Sequence, residues 1–223
     1  VFYGYKTNGI YATTEDAKAD GLQVRSGLAD VPFGAGDVRF VNMNGDKYIN
    51  EEDMTVIGDP NPDIYGGLNT RILWKNFTFS ARFTYSLGND VYNYTRRTLE
   101  SMSGLENQTQ AVLNRWRAEG QVTSMPKVTY GDPMGNARFS DRWIEDGSYL
   151  KFKNLTVAYD VPIKKGIITG IQVYAVAENI CTWTKYKGYD PEFSASTNPL
   201  GYGIDALMTP QARTFYVGLK LGL

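Results

Sequence analysis

The sequence has no histidine and a single cysteine in 223 residues. Without histidine there is no Ser-His-Asp triad, no Cys-His pair and no His-based zinc site. Cys181 has no partner for an internal disulfide and is expected to pack as a small hydrophobe. Charge of either sign is also scarce in excess. The formal net charge is −1, which leaves no basic footprint for nucleic acid. No run of 18 apolar residues occurs, so no transmembrane helix is expected. The opening Val1-Phe2-Tyr3-Gly4-Tyr5 has neither a basic region nor a small-residue cleavage site. If the protein is exported, its true N-terminus is expected upstream.

What the chain does have is aromatic residues: 16 Tyr, 10 Phe and 4 Trp, at a mean hydropathy of −0.36. Both a soluble lectin-like β-domain and a membrane barrel are compatible with this. In a barrel an apolar outer face alternates with a polar lumen and disappears from hydropathy averages.

Periodicity separates the regions. Residues 1–63 are polar and rich in Gly and Asp, and read as a long structured loop with a helical turn at Thr14–Ala19 capped by Thr13 or Thr14. Residues 64–74 read as a strand, Lys75-Asn76 as a tight turn, and 77–87 as a second strand. In that strand Phe77, Phe79, Ala81, Phe83, Tyr85 and Leu87 share one face, and Thr78, Ser80, Arg82, Thr84 and Ser86 the other. Such alternation suits a tilted membrane-crossing strand of about 9–11 residues. Residues 88–147 form a polar loop with helices expected at Tyr94–Ser103 and Gln108–Glu119, and with Asn114-Arg115-Trp116 on its surface. Strands follow at Tyr149–Val161, Gly170–Thr182 and Ala212–Leu223. Leu150 and Phe152 are out of phase with Leu155, Val157, Tyr159 and Val161, which predicts a bulge near Lys153-Asn154. A short turn begins at Pro162, and a third polar loop covers 183–210.

The connections alternate tight, long, short, long. Outer-membrane barrels sort their connections this way, with short turns on the periplasmic side and long loops outside. The fold class expected is therefore all-β: an antiparallel transmembrane β-barrel segment of five strands, with loops carrying short helices. Five strands cannot close a barrel, and open edges do not survive in a bilayer, so further strands are expected outside this chain.

Four segments in order, Gly36–Asp63, Ser140–Leu155, Ala177–Glu192 and Tyr216–Leu221, resemble the last third of the SusC/RagA family of TonB-linked outer-membrane proteins. Gly4–Tyr11 fits the same family just upstream. The resemblance covers essentially the whole chain. It implies a 22-stranded barrel, an N-terminal plug and a TonB-contacting segment that this chain lacks, and a SusD-like lipoprotein lid. It also implies glycan or peptide as substrate. Such barrels commonly finish on an aromatic residue, whereas this chain finishes on Leu223.

One constellation carries site chemistry. Asn42, Asn44, Asp46, Tyr48, Asn50 and Asp53 have the offsets of a twelve-residue calcium loop, with Tyr48 contributing its carbonyl. Against calcium stand Lys47 at the usual glycine position, the neutral Asn42 and the short Asp53. The other reading is an Asx-rich turn held by side-chain to backbone bonds, with Asp37 as an outside ligand in either case. The pairs Glu51-Glu52 and Glu145-Asp146 read as solvated loop charge. Trp116, Trp143, Trp183, Tyr186 and Tyr189 are candidates for sugar stacking or for an interface belt. The alternative to an importer is a soluble carbohydrate-binding β-domain with a calcium-stabilised loop.

Overall fold

The computed structural model describes residues 1–27, 29–163, 169–193 and 201–222. The expected turn after Pro162 falls largely on 164–168. That part of it, the 194–200 part of the third loop and Leu223 lie outside the described residues. In chain order the elements are β1 (Phe2–Tyr5), β2 (Thr7–Ile10), α1 (Thr14–Asp20), β3 (Gln23–Ser26), β4 (Ala29–Pro32), β5 (Val38–Phe40) and β6 (Met54–Gly58). Then come β7 (Ile64–Trp74), β8 (Phe77–Leu87), β9 (Asp90–Asn93), α2 (Tyr94–Glu100), β10 (Ile144–Asp146), β11 (Tyr149–Val161), β12 (Gly170–Thr184), β13 (Ile204–Asp205) and β14 (Thr214–Gly222).

The chain divides into two compact units that interleave along the sequence. A loop unit comprises Val1–Pro60, Val91–Glu145 and Ala195–Leu207; a sheet unit comprises Asn61–Asp90, Asp146–Ser194 and Met208–Leu223.

The sheet unit is one antiparallel sheet in the order β14-β12-β11-β8-β7. Its edges are β7 and β14, and among the described residues the two do not pair with each other. Lys75, at φ 52, makes the two-residue connection that pairs Trp74 with Phe77. The alternation expected for β8 runs through all five strands. Phe79 lies opposite Ile72 and Val157, and Val173 opposite Tyr159 and Leu219. On the other face Arg82 lies opposite Asn69 and Asn154. The expected bulge is present: the register skips between Phe152 and Asn154 on both neighbours of β11. Against β8 Lys153 is the extra residue, and it is what brings Leu150 and Phe152 into phase with Leu155; against β12 the extra residue lies on β12, where Asn179, at φ 51, and Ile180 stand opposite Lys153. Phe152 then stacks on Phe83 with ring centroids 4.5 Å apart.

The loop unit has more regular structure than its sequence suggests. Residues 1–58 hold six short strands besides α1, paired as β1-β6, β2-β5 and β3-β4, and β10-β9-β13 forms a small three-stranded sheet. These strands have three to five residues or fewer, below the length at which alternation is visible. Thr13 caps α1 by accepting from the Asp16 N–H. The helix expected over Gln108–Glu119 is only a 3₁₀ turn at Gln110–Asn114 without a side-chain cap. It stops because Arg115 bridges to Met125 and the Trp116 N–H donates to the Met125 carbonyl. The unit's cores gather around Tyr11, Val38 and Phe40, around Phe2, Tyr92 and Trp143, and around Met102, Val112 and Met125.

Candidate functional site

Three places collect the residues with chemistry, two in the loop unit and one on the sheet. The first is the 42–53 loop. Asn42 accepts from the Gly45 N–H at 2.7 Å, Asn44 from Asp46 at 3.0 Å, Asp46 from Tyr48 at 2.8 Å and Asn50 from Glu52 at 2.7 Å. Asp53, fully buried, accepts from the Met43 and Asn50 N–H groups at 2.7 and 3.0 Å. The loop's shape therefore rests on a chain of Asx turns closed by a capping box. Lys47 adopts φ 69, so the backbone makes the left-handed turn for which a calcium loop normally uses glycine. The acidic end fits an ion less well, because both Asp53 oxygens already hold backbone N–H groups. Asp37 does not serve this loop. It is buried, and it binds Lys127 Nζ, Asn136 Nδ2 and the Gly34 N–H, each at 2.9 Å. Gly36 beside it sits at φ 82, and a Cβ there would meet the Trp116 ring at 2.6 Å. The Gly36-Asp37 pair thus locks two distant segments together.

The second place surrounds Trp143. The guanidinium groups of Arg96 and Arg142 lie 5.1 and 4.9 Å from its ring centroid, and its Nε1–H donates to the Arg138 carbonyl at 3.1 Å. Arg96 donates to Glu145 at 2.5 Å and to Glu100 at 3.3 Å, and also reaches the Arg142 carbonyl. Burial, and then the charge of Arg96, push the Arg142 guanidinium down to about 10. Glu145 is buried and engaged, which corrects its expected role as solvated charge. Trp143 is 1% exposed, so it stacks on no sugar and belongs to no interface belt. Trp116 is also drawn inward. It donates to the Ala12 carbonyl at 3.1 Å, against the expectation of a surface position. Tyr186 is buried as well, whereas Trp183 and Tyr189 are exposed.

The third place is the polar face of the sheet. A groove of about 650 Å³ is lined there by Asn69, Arg71, Ser80, Arg82, Lys153, Asn154, Glu178, Asn179 and Gln211, among others. Beside it, Lys151, third residue of β11, is 2% exposed. Its Nζ lies 2.8 Å from Asp190 and 2.9 Å from Glu192. Lys153 Nζ reaches Glu192 at 2.5 Å and Gln211 at 2.8 Å. Two of the segments singled out in the sequence, Tyr149–Leu155 and Tyr186–Glu192, are therefore ion-paired partners. Sequence reasoning did not find this cluster. The available signal was a lysine on the polar side of a membrane-length strand, with an Asp-Pro-Glu run downstream.

No family model matches the chain. TonB-dependent receptor P3 of Formosa agariphila is 32% identical over 232 residues, covering 99% of this chain and 22% of the receptor. TonB-dependent receptor SusC of Bacteroides thetaiotaomicron is 30% identical, covering 98% of this chain and 20% of the receptor. The RagAB peptide importer in its open-open state superposes with a TM-score of 0.73 at 25% identity, over 100% of this chain and 22% of the importer chain. The chain belongs to the SusC/RagA family of TonB-linked outer-membrane proteins. It spans about a fifth of the length of the curated relatives it matches. Within this family the five-strand sheet is a segment of a transmembrane β-barrel. The apolar face is then the lipid face, and the groove of Arg71 and Arg82 lies on the lumen side. The relatives are receptors and importers rather than enzymes.

Proposed function

We propose that the chain is part of a TonB-dependent importer of the bacterial outer membrane, taking up oligosaccharides or peptides together with a SusD-like lid lipoprotein. The observation that carries this reading is the sheet itself. Its strands of 9 to 15 residues have one face of Phe, Leu, Ile and Val and one face of Asn, Arg, Ser and Thr. Large apolar residues such as Leu68, Ile72, Phe215 and Val217 stand exposed on the first face. A soluble carbohydrate-binding domain would not leave so wide an apolar face bare. In this reading TonB engages a segment outside this chain, and the strands that flank β7 and β14 come from the remainder of the same barrel. The Lys75-Asn76 turn faces the periplasm, as does the C-terminal end of β14, and residues 1–63, 88–147 and 183–210 lie outside. A calcium ion held by Asn42, Asn44, Asp46, Tyr48, Asn50 and Asp53 would belong to this reading as a structural ligand only. The spacing and the Lys47 backbone support it.

Deleting the full-length gene tests the reading. Growth on one class of oligosaccharide or peptide should fail and return on complementation, and the protein should fractionate with the outer membrane. Biotinylation of intact cells through single cysteines in a Cys181→Ser background should label a cysteine at Tyr130 and spare one at Asn76. The reverse labelling would overturn the topology.

A further inference from the structure

We propose that the lumen face carries an oxyanion subsite, built on Arg71 and Arg82, for acidic oligosaccharide cargo. The proposal rests on the import reading above. Arg71 lies opposite Ser80, and Arg82 opposite Asn69, across the β7-β8 pair. The two arginines are thus diagonal neighbours on one face, with Cα atoms about 7–8 Å apart. Like charges so placed repel each other, and among the described residues neither finds a carboxylate or carbonyl acceptor. The loop arginines differ: Arg39 binds Asp20, Arg96 binds Glu145 and Arg142 binds the Asn136 carbonyl. Lys153 shares the groove but is already held by Glu192 and Gln211. The groove's one further charge is Glu178. It faces Asn154 from the side opposite Arg82, two strand spacings or about 9–10 Å away between backbones, and among the described residues it forms no ion pair with either arginine.

Two uncommitted guanidinium groups side by side are suited to a carboxylate or a sulfate, which each can grip through two parallel N–H bonds. The wall between and around them is amide and hydroxyl: Asn69, Ser80 and Asn154. These groups hydrogen-bond sugar hydroxyls. The volume of about 650 Å³ admits several sugar units. Arginine on a barrel wall would give an acidic chain a resting point on its way through the lumen.

The test uses the full-length receptor purified in detergent, titrated calorimetrically with tetragalacturonate, a sulfated carrageenan tetrasaccharide and neutral maltotetraose. At least one acidic probe should bind with an affinity that falls as salt rises. R71Q/R82Q should weaken it by about tenfold or more, and R71K/R82K should restore only part of it. R213Q, outside the groove, should leave it unchanged. Equal binding by the receptor and R71Q/R82Q overturns the subsite, and so does binding of neither acidic probe. If R71Q/R82Q instead lowers the melting temperature of the ligand-free receptor and leaves probe binding intact, the arginines serve an acidic segment of the protein itself, which also overturns the proposal. Heat-modifiable migration and outer-membrane fractionation of the same receptor test the barrel separately. If they hold while probe binding is indifferent to the arginines, the subsite fails and the import reading stands.

Discussion

Trp143 in the loop unit and Leu68 in the sheet are both large apolar side chains, yet the first is 1% and the second 62% exposed. The contrast is general. The three apolar cores belong to the loop unit, while the sheet turns its aromatic and aliphatic residues outward. On the lumen side of the sheet the buried residues include Lys151 and Ser86. One chain is thus built for two solvents. The loop unit follows the rule for water, with apolar surface inside at about 25 cal/mol per Å² removed from water. The sheet follows the rule for lipid, where the hydrocarbon takes the place of a core and backbone groups must all be paired. Composition averages over both, which is why the mean hydropathy looks like that of a soluble protein.

The comparison breaks most readily at Trp143. Trp143→Ala removes the ring between Arg96 and Arg142 and should cost the loop unit about 3–5 kcal/mol. Proteolysis of the full-length protein should then cut within 91–145, while the folded barrel keeps its heat-modifiable migration. Loss of both together would mean the two units do not obey separate rules. Lys151→Met is the converse test, a charge buried in the sheet. It leaves Asp190 without its cation, although Glu192 keeps Lys153. The cost should lie near the low end of the about 3–5 kcal/mol typical of a broken buried pair. The readout is new protease sensitivity at Lys185–Tyr189, because Asp190 loses its tie to β11 and only the Lys153–Glu192 pair still holds the segment there.

On the lipid face, Phe79→Arg or Phe83→Arg should impair assembly by about 2–4 kcal/mol if the position lies near the midplane. Thr78→Arg, on the lumen face of the same strand, should be mild. A folding assay in lipid vesicles measures both. Equal tolerance on the two faces would remove the membrane assignment.

These two rules also explain what could be read in advance. Strand β8 was legible because eleven alternating residues have one reading, and the Lys153 bulge was legible because Leu150 and Phe152 break the phase of Leu155. The loop unit was not. Its strands are short, and its decisive contacts join residues far apart, such as Thr7 N–H and Oγ1 to Asp141 at 3.1 and 2.6 Å. Trp143 looked like a surface aromatic because its flanking charges, Arg142 and Glu145, suggest solvent. In the fold those charges are turned onto its ring and onto Arg96. The 42–53 loop was legible as a list of oxygens at suitable spacing, but spacing alone could not say that Asp53 would turn both oxygens to backbone N–H groups.

That last point gives the smallest predicted effects. Asp46 accepts one bond, from Tyr48 N–H at an exposed site, and Asp53 accepts two while fully buried. If Asx turns hold the loop, Asp46→Ala should cost about 0.5–1 kcal/mol and Asp53→Ala about 1–3 kcal/mol, because the second leaves two partly buried N–H groups without an acceptor and empties a buried position. Chelator should then change neither the melting curve nor the susceptibility of the loop to protease. If calcium holds the loop, the ranking changes. Both residues would be ligands of one ion, either substitution would weaken its binding, and chelator would reproduce the damage of both in the unsubstituted protein. Calorimetry with calcium on the full-length receptor, followed by the same titration on Asp46→Ala, separates the two outcomes. Barrel assembly should be indifferent to either substitution, since the loop lies wholly in the water-facing unit.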